Sequence, residues 1–361
     1  MWYIIKLFSD RRNRIRERPM ANEKKTGRVP SWVWTVLRLA IVAVIFYFLF
    51  RTGQLDLRKV GSFLRRPVPF AIGTALLIIG GAFGVLRWQK LLEVHGIRVP
   101  FGDAMRLTFI GFFFSTVIPG AVTGDVVKAY YVVRGREKKA EAITSIIMDR
   151  VLGLWTMIFV AVVVVSLSWL LALGGSGSEV WKDPKVSLVS FLVWGLFLAL
   201  TAAFAFSWST RLRHSRLMDW ALERAPLKET VRKFYDAVHG YGLSPRPTAV
   251  AALYSFIAQA ILYVALYFLA RTANVEGISA GGYLFLFPVG LVVNALPILP
   301  AGLGQGEVGF AWLFNLFHSS HGAEVAFLFH LSFLSISVII GGFFYLLGKK
   351  EYSIHMPEKL S

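Results

Sequence analysis

The chain has 361 residues, 56% of them hydrophobic and only 17% charged, where an ordinary soluble domain is about a quarter charged. That excludes a soluble globular enzyme and a disordered chain, because so much apolar surface cannot be buried in one core. The 39 Lys and Arg against 21 Asp and Glu would suggest nucleic acid in a soluble protein. Here the basic residues gather in particular loops, as membrane topology requires, and no nucleic-acid partner is expected.

Residues 1–31 form a basic arm with nine Lys and Arg. No signal-cleavage pattern follows, so Trp32–Phe50 is expected to be a retained span. Apolar blocks of the length a helix needs to cross a bilayer recur at Val68–Leu86, Val151–Leu173, Val186–Phe206, Thr248–Ala270 and Val325–Leu347. Gly80 and Gly84 give the second block a close-packing face. Two further apolar stretches are short and broken: Ala104–Ile118 before Pro119-Gly120, and Tyr283–Leu299 before Pro300-Ala301-Gly302-Leu303-Gly304. Fifteen residues rise only about 22 Å as a helix, short of a hydrocarbon core roughly 30 Å thick. Segment 207–247 contains the long polar stretch Arg211–His239. Its Leu227, Val231, Phe234 and Val238 recur at helical spacing among Arg and Lys, which predicts an amphipathic helix on the inner leaflet, in reach of anionic lipids. Residues 348–361 are a short tail.

With the N-terminus inside, the inner segments hold 28 Lys and Arg and the outer ones 8, a strong positive-inside bias. Only 51–66 dissents, with five basic residues on the predicted outer side. The count places both termini in the cytoplasm. It also forces 104–134 and 283–317 each to return to the face they entered from, as re-entrant hairpins of opposite orientation. Their turns look alike, Pro119 to Asp125 against Pro300 to Glu307, each with Pro, a Gly-rich turn and Gly-carboxylate. Short Gly/Pro-broken segments in corresponding halves point to the central site of a transporter. The expected fold is an all-α polytopic membrane protein with about six full spans and two opposed hairpins forming an inverted repeat.

Asp125, Lys128, Asp149, Arg150 and Glu307 fall inside or at the edge of these segments. Five unpaired charges at the centre of a bilayer would cost roughly 12–17 kcal/mol on insertion scales, the size of a whole domain's stability. They must pair, meet water or lie shallow. Asp125 and Lys128, three apart, are able to pair along one helix face. Asp149-Arg150 opens the third full block and is in reach of the first hairpin. Glu307 has no basic neighbour in sequence, so its partner comes from elsewhere or it carries a proton. Pro119 and Pro300 end the incoming helices. Gly120, Gly124, Gly302, Gly304 and Gly306 permit a left-handed backbone close to a ligand, and Asn294 adds an amide to the second hairpin. Phosphate would sit on Arg150, Lys128 and the Gly-lined backbone. Asp125 and Glu307 would take a cationic headgroup, a proton or a coupling cation.

Enzyme signals fail. Gly304-x-Gly306-x-x-Gly309 lacks the strand a dinucleotide fingerprint needs, and HExxH, GxSxG and Walker A patterns are absent. His318 and His321 belong to a surface loop. With no cysteine there is no thiolate nucleophile or Cys zinc site. No enzyme activity, metal or cofactor is expected beyond proton or cation coupling.

The run Arg87-Trp88-Gln89-Lys90-Leu91-Leu92, then Pro119 to Lys128, Asp149-Arg150-Val151-Leu152-Gly153 and Leu296-Pro297 to Glu307 resembles the flippase-like transmembrane family, also named for the membrane region of lysylphosphatidylglycerol synthase. The resemblance covers roughly residues 35–347. Thr123 and Ala301 stand where the family pattern has Gly. It implies an integral protein of the cell membrane that moves a phospholipid or lipid-linked group between leaflets, without the aminoacyl-transferase domain of the bifunctional relatives. A membrane-embedded enzyme acting on a lipid headgroup, and a non-transporting partner of a lipid synthase, are the other readings. A homo-oligomer is compatible with all three.

Overall fold

The computed structural model describes residues 65–117, 123–133, 138–173, 183–210, 228–295, 299 and 302–347, with isolated helical positions between 36 and 51. The basic arm, most of the first expected span, the tail and both hairpin tips, with Pro119, Gly120 and Pro300, lie outside the described residues. Among the described residues every regular element is a helix.

Among the described residues, five segments are long and apolar enough to cross a membrane: α1 (Pro67–Val94), α4 (Lys139–Leu173), α5 (Pro184–Trp208), α7 (Pro245–Thr272) and the stretch Gly322–Leu347. The last comprises α10 (Gly322–Ile336), a π-helical turn at Ser337–Gly341, and α11 (Gly342–Leu347). Pro at the first turn starts α1, α5 and α7, where its missing N–H costs nothing. The helix expected from Val151 begins twelve residues earlier, at Lys139. Its extra turns are polar along one side, so the hydropathy block marks only the apolar two-thirds.

The two broken stretches are pairs of short helices. In the first, α2 (Phe101–Val117) packs on α3 (Thr123–Val133); in the second, α8 (Ala280–Ala295) packs on α9 (Gln305–Leu316). The first pair crosses at Gly111 and Gly124, where a Cβ on Gly124 would collide with the Gly111 carbonyl and the Ser115 hydroxyl. A small residue here lets the backbones touch. Gly124 is therefore used for helix packing rather than for a left-handed turn.

The helices α1 and α7 pack along their length, with Gly73 of α1 against Leu269 and the Ala265 carbonyl. The close-packing face thus runs through Gly73 and Gly80, where a Cβ on Gly80 would be in ordinary contact with Ile261 and the Ala258 carbonyl. Gly84 opens on empty space instead. Core residues form one cluster around the second pair, including Ile158, Leu266, Phe285, Phe287, Phe310 and Leu328. Another surrounds the first pair, including Trp88, Leu107, Val132 and Ile146. The amphipathic helix appears as α6 (Lys228–Leu243), laid across α4 and α5 with Ala237 and Tyr241 buried. Residues 211–227 lie outside the described residues.

Candidate functional site

Arg87, in the third turn from the end of α1, ties three helices together. Its Nε donates to Asp149 Oδ1 of α4 at 2.7 Å, and its Nη1 donates to Ser255 Oγ of α7 at 3.0 Å. Both members of the ion pair are only 13% exposed. Ser255 also meets Thr156 Oγ1 at 2.7 Å, and Gln259 donates to the Gly153 carbonyl. The absence of a side chain at Gly153 makes room for the guanidinium, since a Cβ there would lie 2.9 Å from Arg87 Nη1.

Next to this stitch lies a cavity of about 300 Å³, at the lower end of the range for ligand pockets. Arg87, Asp125, Lys128, Asp149 and Arg150 stand at one end; Leu77, Leu262, Phe329, Phe333 and Ile336 form an apolar remainder. From Leu77 to Arg87 the cavity follows about 15 Å of α1. Gly81 and Gly84 form part of this wall, and a Cβ at either would meet nothing within 4 Å.

The charged end is asymmetric. Asp125 of α3 pairs with Arg150 of α4, Nε to Oδ2 at 3.1 Å, and the Arg150 side chain remains 61% exposed. Lys128 does not pair with Asp125 along the helix. Its Nζ sits 3.5 Å above the Trp88 ring, whose Nε1 donates to Ser145. Three cations thus face two carboxylates, and the surplus positive charge rests on a lysine with no ion pair among the described residues. A cation over an indole face is stabilised without using up its hydrogen-bond donors, so the arrangement leaves room for an anion.

Glu307 lies elsewhere. It is fully buried in the first turn of α9, where Oε2 accepts from the Gly304 N–H at 2.7 Å. Oε1 lies 2.8 Å from His330 Nδ1 of α10, and His330 Nε2 lies 2.9 Å from Asn294 Oδ1 of α8. Gly302 and Gly304, at φ +79° and +85°, supply the left-handed backbone that leads into α9. Gly306 also lacks room for a side chain, with Asn294 and His330 against it. None of the described residues of α8 or α9 lines the cavity. The expected grouping of both hairpins around one site is therefore not seen among the described residues: Asp125, Lys128, Asp149 and Arg150 come together, and Glu307 forms a separate cluster.

A family model described as the lysylphosphatidylglycerol synthase TM region matches residues 35–341. The chain belongs to this family. No curated protein matches it. Together with the five apolar helices, membership makes it a multi-pass membrane protein. The family-like runs quoted from the sequence now have physical roles in this member of the lysylphosphatidylglycerol synthase TM region family. Arg87 and Asp149 make the stitch, Trp88 carries Lys128, and Gln89 donates to the Val99 carbonyl to hold the start of α2. Arg87, Trp88, Ser255 and His330 belong to these networks although none was singled out by its charge or spacing. Arg87 was visible only inside its run, and His330 was one of seven scattered histidines.

Proposed function

We propose that the protein is a lipid transporter that moves a phospholipid or lipid-linked group between leaflets through the α1–α2–α3–α4–α7–α10 cavity. The observation that carries this reading is the cavity's polarity, with a surplus cation at one end and about 15 Å of apolar wall leading away from it. A lipid has the same layout. Its phosphate would meet Arg150 and Lys128, an amine on the headgroup would meet Asp125, and the acyl chains would stay along the Gly81–Gly84 wall. Family membership supports the lipid assignment. The short pairs α2–α3 and α8–α9 are read as re-entrant hairpins from opposite faces, with both termini cytoplasmic, on the strength of the positive-inside count. The protein's own helices do the work by orienting a headgroup in a partly hydrated site and shielding it from hydrocarbon.

The test is leaflet exchange of headgroup-labelled phospholipids in proteoliposomes holding equal amounts of wild type, Arg150→Ala and Asp125→Asn. Exchange above protein-free vesicles that falls at least ten-fold in Arg150→Ala is expected. Wild-type exchange equal to empty vesicles across neutral and anionic lipids would refute the reading, as would an Arg150→Ala variant that transports normally.

A further inference from the structure

Beyond the lipid cavity, and resting on the transport reading above, we infer that Glu307 and His330 form a proton-binding site whose loading state is passed to the lipid cavity through α10. Each ring nitrogen of His330 faces an oxygen, Glu307 Oε1 at 2.8 Å and Asn294 Oδ1 at 2.9 Å. That arrangement suits an imidazolium, which donates from both nitrogens. A carboxylate with an imidazolium has zero net charge; a carboxylate with a neutral imidazole carries −1. The Glu307 side chain is wholly buried and the His330 side chain 6% exposed, and an uncompensated charge at such a place is costly. One proton on the pair makes it neutral, which is the state that burial favours.

Among the described residues, no other ionisable group bonds the pair. On α9, Glu307 is alone; α8 carries only Tyr283, near its other end. On α10, Glu324 lies six residues before His330, beside His321. From α1, Arg87 is committed to Asp149 and lies thirteen residues beyond Thr74, which bonds Ser332 of α10. From α7, Tyr263, Tyr267 and Arg271 are the nearest titratable groups to the level where Gly73 meets Leu269, and none of them bonds Glu307 or His330.

Two features connect the pair to transport. The second Glu307 oxygen holds the Gly304 N–H, so a change in its charge acts directly on the left-handed turn before α9. His330 shares α10 with Phe329 and Phe333 on the cavity wall. Loss of the proton replaces an attraction between α9 and α10 by a buried lone carboxylate, which shifts α10 and with it that wall.

Two measurements on the full chain in proteoliposomes test this. The first is labelling of Glu307 by dicyclohexylcarbodiimide, which reacts with protonated carboxyls, read by peptide mass spectrometry between pH 5 and 9. The wild type should label weakly, because the histidine holds the proton. His330→Gln should label at least five-fold more at pH 7, because the buried acid must then carry it. Equal labelling of the two, high or low, overturns the site. The second is lipid exchange under an imposed pH gradient, with a luminal pH dye. Wild-type exchange should change at least five-fold when the gradient is reversed, with proton movement that follows lipid, and His330→Gln should exchange at one rate in both directions. Wild-type exchange that ignores the gradient overturns the coupling and leaves the transporter reading standing. Absence of any exchange removes the transporter reading and the coupling, while the labelling result still decides the proton site.

Discussion

Replacing Arg87 by Ala leaves Asp149 buried without its partner and removes the hydrogen bond to Ser255. Both members of the pair are only 13% exposed, so the lone carboxylate recovers only part of its hydration. Breaking such a pair from one side costs about 3–5 kcal/mol, a large part of the roughly 5–15 kcal/mol that holds a typical fold. At about 2 °C per kcal/mol for a long chain, the unfolding midpoint in detergent should fall by about 6–10 °C. Tryptophan fluorescence on heating reads this directly. Arg87→Leu/Asp149→Leu removes both charges together and should recover most of the loss, because two well-packed apolar groups replace a buried pair at little cost. Arg150→Ala is the control. Its pair with Asp125 is more than half exposed on the arginine side, so the loss should be within about 1 kcal/mol, or about 2 °C. An Arg87→Ala midpoint within 2 °C of wild type would refute the stitch, as would a double variant as unstable as the single one.

The cavity wall can be filled without touching its charges. Gly84→Ala should leave exchange unchanged and the melting midpoint no lower, since its Cβ meets nothing within 4 Å and Ala is the better helix former. Gly84→Leu should slow lipid exchange at least ten-fold with the midpoint held, a split measured by pairing the exchange assay with a melt. At the α2–α3 crossing, Gly124→Val forces the helices apart and should cost about 1–3 kcal/mol, seen as a lower melting midpoint. His95, just beyond α1, gives a pH dependence. Its burial, opposed by Glu141 and reinforced by Lys138, lowers its pKa from 6.5. The unfolded chain therefore binds the proton first as pH falls below 6.5, and stability should drop through that window. Melts from pH 7.5 to 5 should show this contribution shrink in His95→Gln.

The long apolar blocks and the breaks between them were legible because hydropathy and Pro/Gly punctuation are local signals. The pairing of charges was not. Asp149 and Arg150 are adjacent in sequence, yet successive helical residues point about 100° apart, so one turns to α1 and the other to α3. Asp125 and Lys128 had the spacing to pair along their own helix, but Arg150 and the Trp88 ring offered partners from other helices. Glu307 needed a partner from outside its own stretch, and His330 supplies it. Nothing in the apolar sequence around His330 marks which neighbouring helix it faces. Gly80 packs on α7 and Gly84 faces empty space, yet both read as packing positions because a glycine's local pattern is the same in either setting.

The π turn at Ser337–Gly341 holds one residue more than an α-helical turn needs. One surplus residue offsets the two halves of this span by about 100° of helical phase. Upstream, Phe329 and Phe333 are thereby aimed at the cavity; downstream, Phe344 and Tyr345 stand over Phe109 and Phe113 of α2. The surplus is locked in place by Gly341, where a Cβ would collide with the Phe109 carbonyl. The wide turn therefore lets one span serve two neighbours, lining the cavity above it and gripping α2 through aromatic contacts below it.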